Sequence, residues 1–222
     1  MSRKVANINL NNSVAIIVDG KDEKWYLENI KKHYQEQHPS LKRIKIEPEL
    51  PSKKKVKELF GLAETKHMEG YKHVVLIVDL DTPNKDPKEF RIFEDLYNKY
   101  FSIKNVPSTG RISSKYKWMQ NLTVIINNPC LEYWYIIHFE YTQKFFNNFS
   151  ELKPELQKYL PDYDKNEKYY KGTPDIYTRL RADKGLAVAR NNAQKFSPFT
   201  INTCKTYGIS EMNKLFDFFD SL

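Results

Sequence analysis

The stretch HVVLIVDLDT, residues 73–82, sets the tightest limit on what this chain can fold into. Val74 to Val78 is an unbroken run of large apolar residues, all but Leu76 β-branched. A strand with one face in water alternates apolar and polar residues. A continuous apolar run must be covered on both faces, as strands of parallel sheets are. SVAIIVDG (13–20) and NLTVIINNP (121–129) repeat the pattern. All three runs end on polar groups: Asp19, Asp79 with Asp81, and Asn127 with Asn128. In open α/β sheets the ligand-handling groups collect beyond the carboxyl ends of the strands.

Amphipathic segments separate these runs. KDEKWYLENIKKHYQEQ (21–37) has Trp25, Leu27, Ile30 and Tyr34 among its inward positions. Residues 53–69 form a second helical stretch with lysines clustered at its start. A third, 86–100, opens with Asp86 placed to cap it and Pro87 in its first turn. RIKIEPEL (43–50) is a shorter strand. After Pro129, LEYWYIIHFEY is apolar at helical spacing, which predicts a further helix. The alternation predicts the α/β class, a mainly parallel sheet flanked by helices. From residue 142 onward no long apolar run remains, and TPDIYTRLRADKGLAVARNNAQKF and EMNKLFDFFDSL read as helical. The expected organisation is an α/β core over 12–141 and a helical extension over 142–222 packed on it.

With 40% hydrophobic and 29% charged residues, the chain can build a core and is not of disordered composition. Cys130 and Cys204 are its two cysteines, without the spacing of a zinc site or a disulfide framework. No segment has the length of a membrane span and the first residues lack a signal-peptide core, so a cytoplasmic protein without a membrane partner is expected. A net charge of +8 biases the chain toward polyanions, chiefly nucleic acid, although a lysine-rich soluble surface is the alternative.

Asp79 and Asp81 are two residues apart, a spacing that in extended chain puts both carboxylates on one face. Paired carboxylates repel unless a proton or cation lies between them. An all-oxygen ligand set suits magnesium or manganese. The plainer alternative has Asp81 capping the turn DTPN and Asp79 paired with a lysine. Asp19 adds a third carboxylate at a second strand end, followed by Gly20 and a helix. Glu23, one turn further on, is either a fourth site group or the reciprocal member of a capping box.

Three stretches resemble the Toprim-fold proteins of the RloB type, which are related to the second component of the abortive-infection L system. IIVDGKDEKWYLENI matches an apolar strand, acidic-Gly turn, second acidic residue and aromatic; VVLIVDLDT matches a D-x-D strand. INNPCLEYWYIIHF resembles the most diagnostic stretch, a strand, Asn-Pro, then Glu-aromatic-Trp and His-Phe. YYKG and LAVARNNAQK fit a late lysine and an Ala-rich helix more loosely. The resemblance implies a Toprim-like core performing magnesium-dependent nuclease chemistry in anti-phage defence, on transfer RNA, another RNA or DNA. It also implies an ATPase partner of the ABC or overcoming-lysogenisation-defect kind. The first acidic position, usually glutamate, is Asp19 here, shorter by one methylene, roughly 1.5 Å.

The site expected from these readings is Asp19, Asp79 and Asp81 on the metal, with Glu23, Glu132 and Lys171 in supporting catalytic roles. Glu132 otherwise only favours a helix N-terminus. Lys171 stabilises developing phosphorane charge or is an exposed lysine. Asn127 and Asn128 face the same cleft, or make an ordinary turn. His138, Trp134 and Tyr135 read mainly as core. Lys115, Lys117 and the Lys53–Lys55 cluster are phosphate contacts or solvated surface, with aromatics interleaved in SSKYKWMQ. A non-catalytic nucleic-acid-binding or ATPase-docking subunit is the rival function, and nucleotidyl transfer a third. The sequence leaves the oligomeric state open, homo-oligomers included.

Overall fold

A computed structural model describes residues 13–37, 46–49, 55–107 and 109–221. Strand β1 (Val14–Ile17) leads into α1 (Lys21–Gln37), β2 (Ile46–Glu49), α2 (Val56–Met68) and β3 (His73–Asp79). Helices α3 (Asp81–Lys85) and α4 (Pro87–Lys104) and a 3₁₀ segment (Ser114–Asn121) bring the chain to β4 (Leu122–Asn128). The sheet order is β2-β1-β3-β4-β5. The first four strands are parallel; β5 (Ile209–Ser210) runs antiparallel to β4.

The α/β expectation and its mainly parallel sheet are borne out. β1 and β3 are buried along nearly their whole length because helices cover both faces. α1 packs against the later helices α7 (Glu167–Lys171) and α8 (Ile176–Arg181), whereas α2 packs against α4. Each enclosed Val, Ile or Leu contributes roughly 1.5–3 kcal/mol of transfer free energy. That drive fixes the register of β3 against β4, from Val74 opposite Leu122 to Asp79 opposite Asn127.

From β1 the chain crosses outward to β2, and from β3 it crosses the other way to β4. The connections therefore leave the carboxyl ends of the two central strands in opposite directions, the place where such sheets form a crevice, and Asp19 and Asp79 lie there.

α4 begins as the sequence predicts: Asp86 Oδ1 accepts from the backbone N–H of Lys88 at 2.8 Å, and Pro87 occupies the first turn. In α1 the inward residues are Tyr26, Leu27, Ile30 and Tyr34, with Trp25 only half-buried. The helix expected after Pro129 is short, α5 (Glu132–Ile136), and all five of its residues are buried. Rings pointing in every direction require enclosure, not one apolar face laid on a sheet. Trp134 stacks on Phe216 at 5.5 Å and donates its indole N–H to Tyr26 Oη at 2.8 Å.

The later half carries α6 (Phe149–Leu156), α7, α8, α9 (Gly185–Gln194), β5 and α10 (Asn213–Asp220). The helical stretch read over 173–196 is broken between α8 and α9, where Asp183 and Lys184 adopt left-handed φ of 49° and 67°. Gly185 is obligatory after that break, since a Cβ there would lie 2.1 Å from the Leu180 carbonyl oxygen. Among the described residues no helix is long and apolar enough to cross a membrane.

Candidate metal centre

Asp19 follows β1, and Gly20 lets α1 begin at once. A Cβ on Gly20 would lie 2.1 Å from Glu23 Oε2 and 2.7 Å from Asp22 Oδ1. Only glycine therefore allows the Glu23 carboxylate to fold back over the strand end. Asp79, the last residue of β3, joins them: Asp19, Glu23 and Asp79 each offer an oxygen, and these oxygens all lie within 4.8 Å of one another.

Asp79 is clamped on both oxygens. Oδ1 accepts from Asn127 Nδ2 at 3.1 Å, and Oδ2 from the backbone N–H of Leu131 at 3.1 Å. Asn127 is itself oriented by Ser210, whose hydroxyl donates to Asn127 Oδ1 at 2.7 Å. Asn128 faces away, as the next residue of a strand must, and donates to the carbonyls of Cys204 and Tyr207.

Burial pushes the Asp79 carboxyl well above the usual range, and the charges of Asp19 and Glu132 add to the shift. Glu23 is raised likewise, by burial first and then by Asp79 and Asp19. Its Oε2 is enclosed without a hydrogen-bond donor. A buried carboxylate oxygen lacking a donor, inside an all-oxygen cluster of repelling groups, fits a hard divalent cation.

Asp81 does not share a strand face with Asp79. The strand stops at Asp79, Leu80 turns to φ −93° and ψ 0°, and Asp81 opens α3. It lies outside the three-carboxylate group, 3.8 Å from Lys85 Nζ, and accepts from the Thr82 hydroxyl at 3.2 Å. The expectation of a shared face assumed two more extended residues. Its negative charge still acts on Asp79 through space.

Glu132 is fully buried at the start of α5. Oε1 accepts from Tyr163 Oη at 2.6 Å and meets Lys165 Nζ at 2.7 Å; Oε2 is enclosed without a donor. Lys165 also reaches Asp22 Oδ2 at 3.0 Å and lies 4.1 Å from the Phe149 ring centroid. Burial works against its ammonium, but Glu132 and Asp22 outweigh burial and raise its pKa. Tyr163 extends the network to Tyr170 Oη at 2.6 Å. Beside Glu132, burial and then the Glu132 and Asp79 charges push the Cys130 thiol up, so it stays protonated.

Lys171 takes another position, paired with Glu28 and Glu167 at 3.0 Å each. The lysine whose charge acts on Asp79 is Lys165, which pairs with Asp22 and Glu132 and is not among the residues expected from the sequence. Its signal is faint: it immediately precedes Asn166, whose side chain caps α7 by accepting from Tyr169 N–H at 2.8 Å. His138 is a core residue, its Nδ1 2.8 Å from the Trp134 carbonyl, with burial lowering its pKa to about 4. Lys55 pairs with Glu89 at 3.7 Å; Lys53 and Lys54 lie outside the described residues.

The sequence model of the RloB-like protein family matches residues 14–217, a span that contains every group just described. The chain belongs to the RloB-like family. Membership supports a defence-related protein, and the acidic group is compatible with a metal site. No curated protein and no solved structure matches this RloB-like chain at a significant level.

Proposed function

We propose that this RloB-like protein is a divalent-metal-dependent Toprim nuclease that cleaves nucleic-acid phosphodiester bonds in anti-phage defence. The observation that carries the reading is the convergence of Asp19, Glu23 and Asp79 at the carboxyl ends of β1 and β3, with an enclosed Glu23 oxygen that has no donor. Asp19 reaches the group despite its shorter side chain, which speaks for the nuclease over the docking-subunit rival.

In this reading Asp19, Glu23 and Asp79 hold magnesium or manganese, and Asp81 contributes negative charge from the start of α3. The bound ion supplies Lewis-acid polarisation of a phosphoryl oxygen and stabilises the leaving oxygen. Asn127 and the Leu131 N–H fix the orientation of Asp79, so no reorganisation is needed when the ion binds. Glu132 and Tyr163 hold Lys165 at the rim of the acidic centre. There its ammonium stabilises charge developing on the phosphoryl group, the role that the sequence suggested for Lys171. The surplus of basic residues draws the polyanion, and an ATPase partner restrains an activity that is toxic inside a cell.

Purified protein incubated with end-labelled RNA and DNA, in magnesium, manganese or a chelator, tests the reading. Cleavage is expected with metal alone, and Asp79→Asn or Glu23→Gln should lower it about 10³-fold, the equivalent of several kcal/mol of charge stabilisation. Cleavage in chelator, or undiminished in a correctly folded Asp79→Asn protein, removes these residues from the mechanism. Calorimetric titration with manganese separates the rival: a docking subunit binds none.

A further inference from the structure

Between Asp95 and Glu132 the chain has no carboxylate side chain, yet it carries Lys99, Lys104, Arg111, Lys115 and Lys117. The structure gathers the lysines around the 3₁₀ segment Ser114–Asn121. Lys99 and Lys115 both stand over the Tyr116 ring, 5.0 and 5.3 Å from its centroid. Lys104 Nζ donates to the Gln120 carbonyl at 2.8 Å. Lys115 and Lys117 line a cavity of about 490 Å³ with Trp118 and Gln120, where Glu64 is the carboxylate on the wall. Arg111 is exposed in the loop that leads in.

Several lysines elsewhere are paired, Lys66 with Glu69 and Lys85 with Asp81 for example. Among the described residues, none of these five cations has a carboxylate within ion-pair distance. Unpaired cations crowded on one surface repel each other, and a polyanion relieves that repulsion by releasing its own counterions. A lipid surface fits less well. Trp118 and Met119 are buried, so the segment has no apolar face left to enter a bilayer. Tyr116, with two ammonium groups near its ring, offers instead an aromatic group for base contact beside phosphate contacts.

The patch is not part of the acidic centre. The 3₁₀ segment runs directly into β4, so it lies at the amino ends of the strands, whereas Asp19, Glu23 and Asp79 lie at the carboxyl ends. The seven residues of β4 separate the two by roughly 20 Å.

We propose that this surface is a second, distal anchor for the nucleic acid. The proposal rests on the nuclease reading for what happens at the acidic centre, but not for binding. At about 3.4 Å per nucleotide, a strand touching both places spans at least about six nucleotides. The anchor therefore selects folded or duplex nucleic acid over short single strands.

The test compares wild type with Lys115→Glu/Lys117→Glu, both exposed and remote from the acidic centre. Anisotropy is measured with bulk transfer RNA and with a trinucleotide RNA, about half the length needed to reach both places, in chelator and in magnesium. Transfer-RNA binding should weaken at least about tenfold, and the slope of log affinity against log salt should fall by about 2, one unit per lost phosphate contact. Trinucleotide binding and manganese affinity should be unchanged. On a long substrate KM should rise with kcat constant. Wild-type transfer-RNA binding in the variant overturns the anchor, as does an equal loss for the trinucleotide. So does a loss confined to phosphatidylserine vesicles, which assigns the patch to a lipid surface. If binding changes as expected while wild type cuts nothing in any metal, the anchor stands and the nuclease reading falls.

Discussion

Glu23 and Glu132 are both buried carboxylates, 4% and 0% exposed, and each has one oxygen without a donor. Their surroundings differ. Glu132 has a resident cation, Lys165 at 2.7 Å, and a phenol, Tyr163 at 2.6 Å. Glu23 has Asp19 and Asp79 for neighbours. One carboxylate is paired within the chain; the other lies in a group of three whose oxygens come within 4.8 Å of one another. The difference teaches what each contributes. A carboxylate paired within the chain fixes geometry, whereas carboxylates grouped as closely as Asp19, Glu23 and Asp79 repel in their ionised forms and could hold a metal ion.

Removing the resident cation breaks this comparison most forcefully. Lys165→Met leaves Glu132 buried and unpaired and should destabilise the fold by about 3 kcal/mol, read from urea unfolding. Adding Glu132→Gln should recover most of that loss without restoring cleavage. Cleavage that returns together with stability shows that Lys165 acts on the fold alone.

The pH dependence of stability in chelator sharpens the contrast. Raised carboxyl pKa values for Glu23 and Asp79 mean that the folded state holds protons which the unfolded state has released. Their contribution is fully present below the ordinary carboxyl pKa of about 4 and is lost as pH rises toward the raised values. The slope is at most about 1.4 kcal/mol per pH unit for each carboxyl. Glu23→Gln should flatten it, and manganese should flatten it in wild type. A slope of zero in chelator shows that the acidic cluster already has its countercharge.

The smallest effect is expected at the phenol. Tyr163→Phe removes one donor to Glu132 while Lys165 stays, a loss of about 1–2 kcal/mol in urea unfolding with manganese affinity unchanged. A large fall in manganese affinity would merge the two centres into one.

Much of the site was legible because it lies where buried strands end. Asp19 and Asp79 each follow an apolar run, and Glu23 is one helical turn past Gly20. Periodicity marks Asp19 and Asp79 as strand ends, but it leaves Glu23 open between a site group and a capping box, and the metal set expected from the sequence has Asp81 in its place. Asp81 was read in the right place but in the wrong conformation: a two-residue spacing means a shared face only if the chain stays extended, and it turns at Leu80. Lys165 was missed because a lysine among Tyr163, Asp164 and Asn166 has no period and no neighbour in sequence that declares its partner. The break at Asp183 and Lys184 was missed as well, since left-handed residues other than glycine leave little trace in composition.

By itself the sequence determined the class of fold and the ends of the central strands. Burial of apolar runs is a local and strong demand, and with amphipathic helical segments alternating between the runs a parallel sheet flanked by helices meets it on both faces. The tertiary structure alone decided which charges meet. Glu132 and Lys165 lie 33 residues apart, and their 2.7 Å contact arises from the docking of a segment whose own pattern names no partner. Coulomb interactions depend on distance in space, and a linear pattern does not carry that distance.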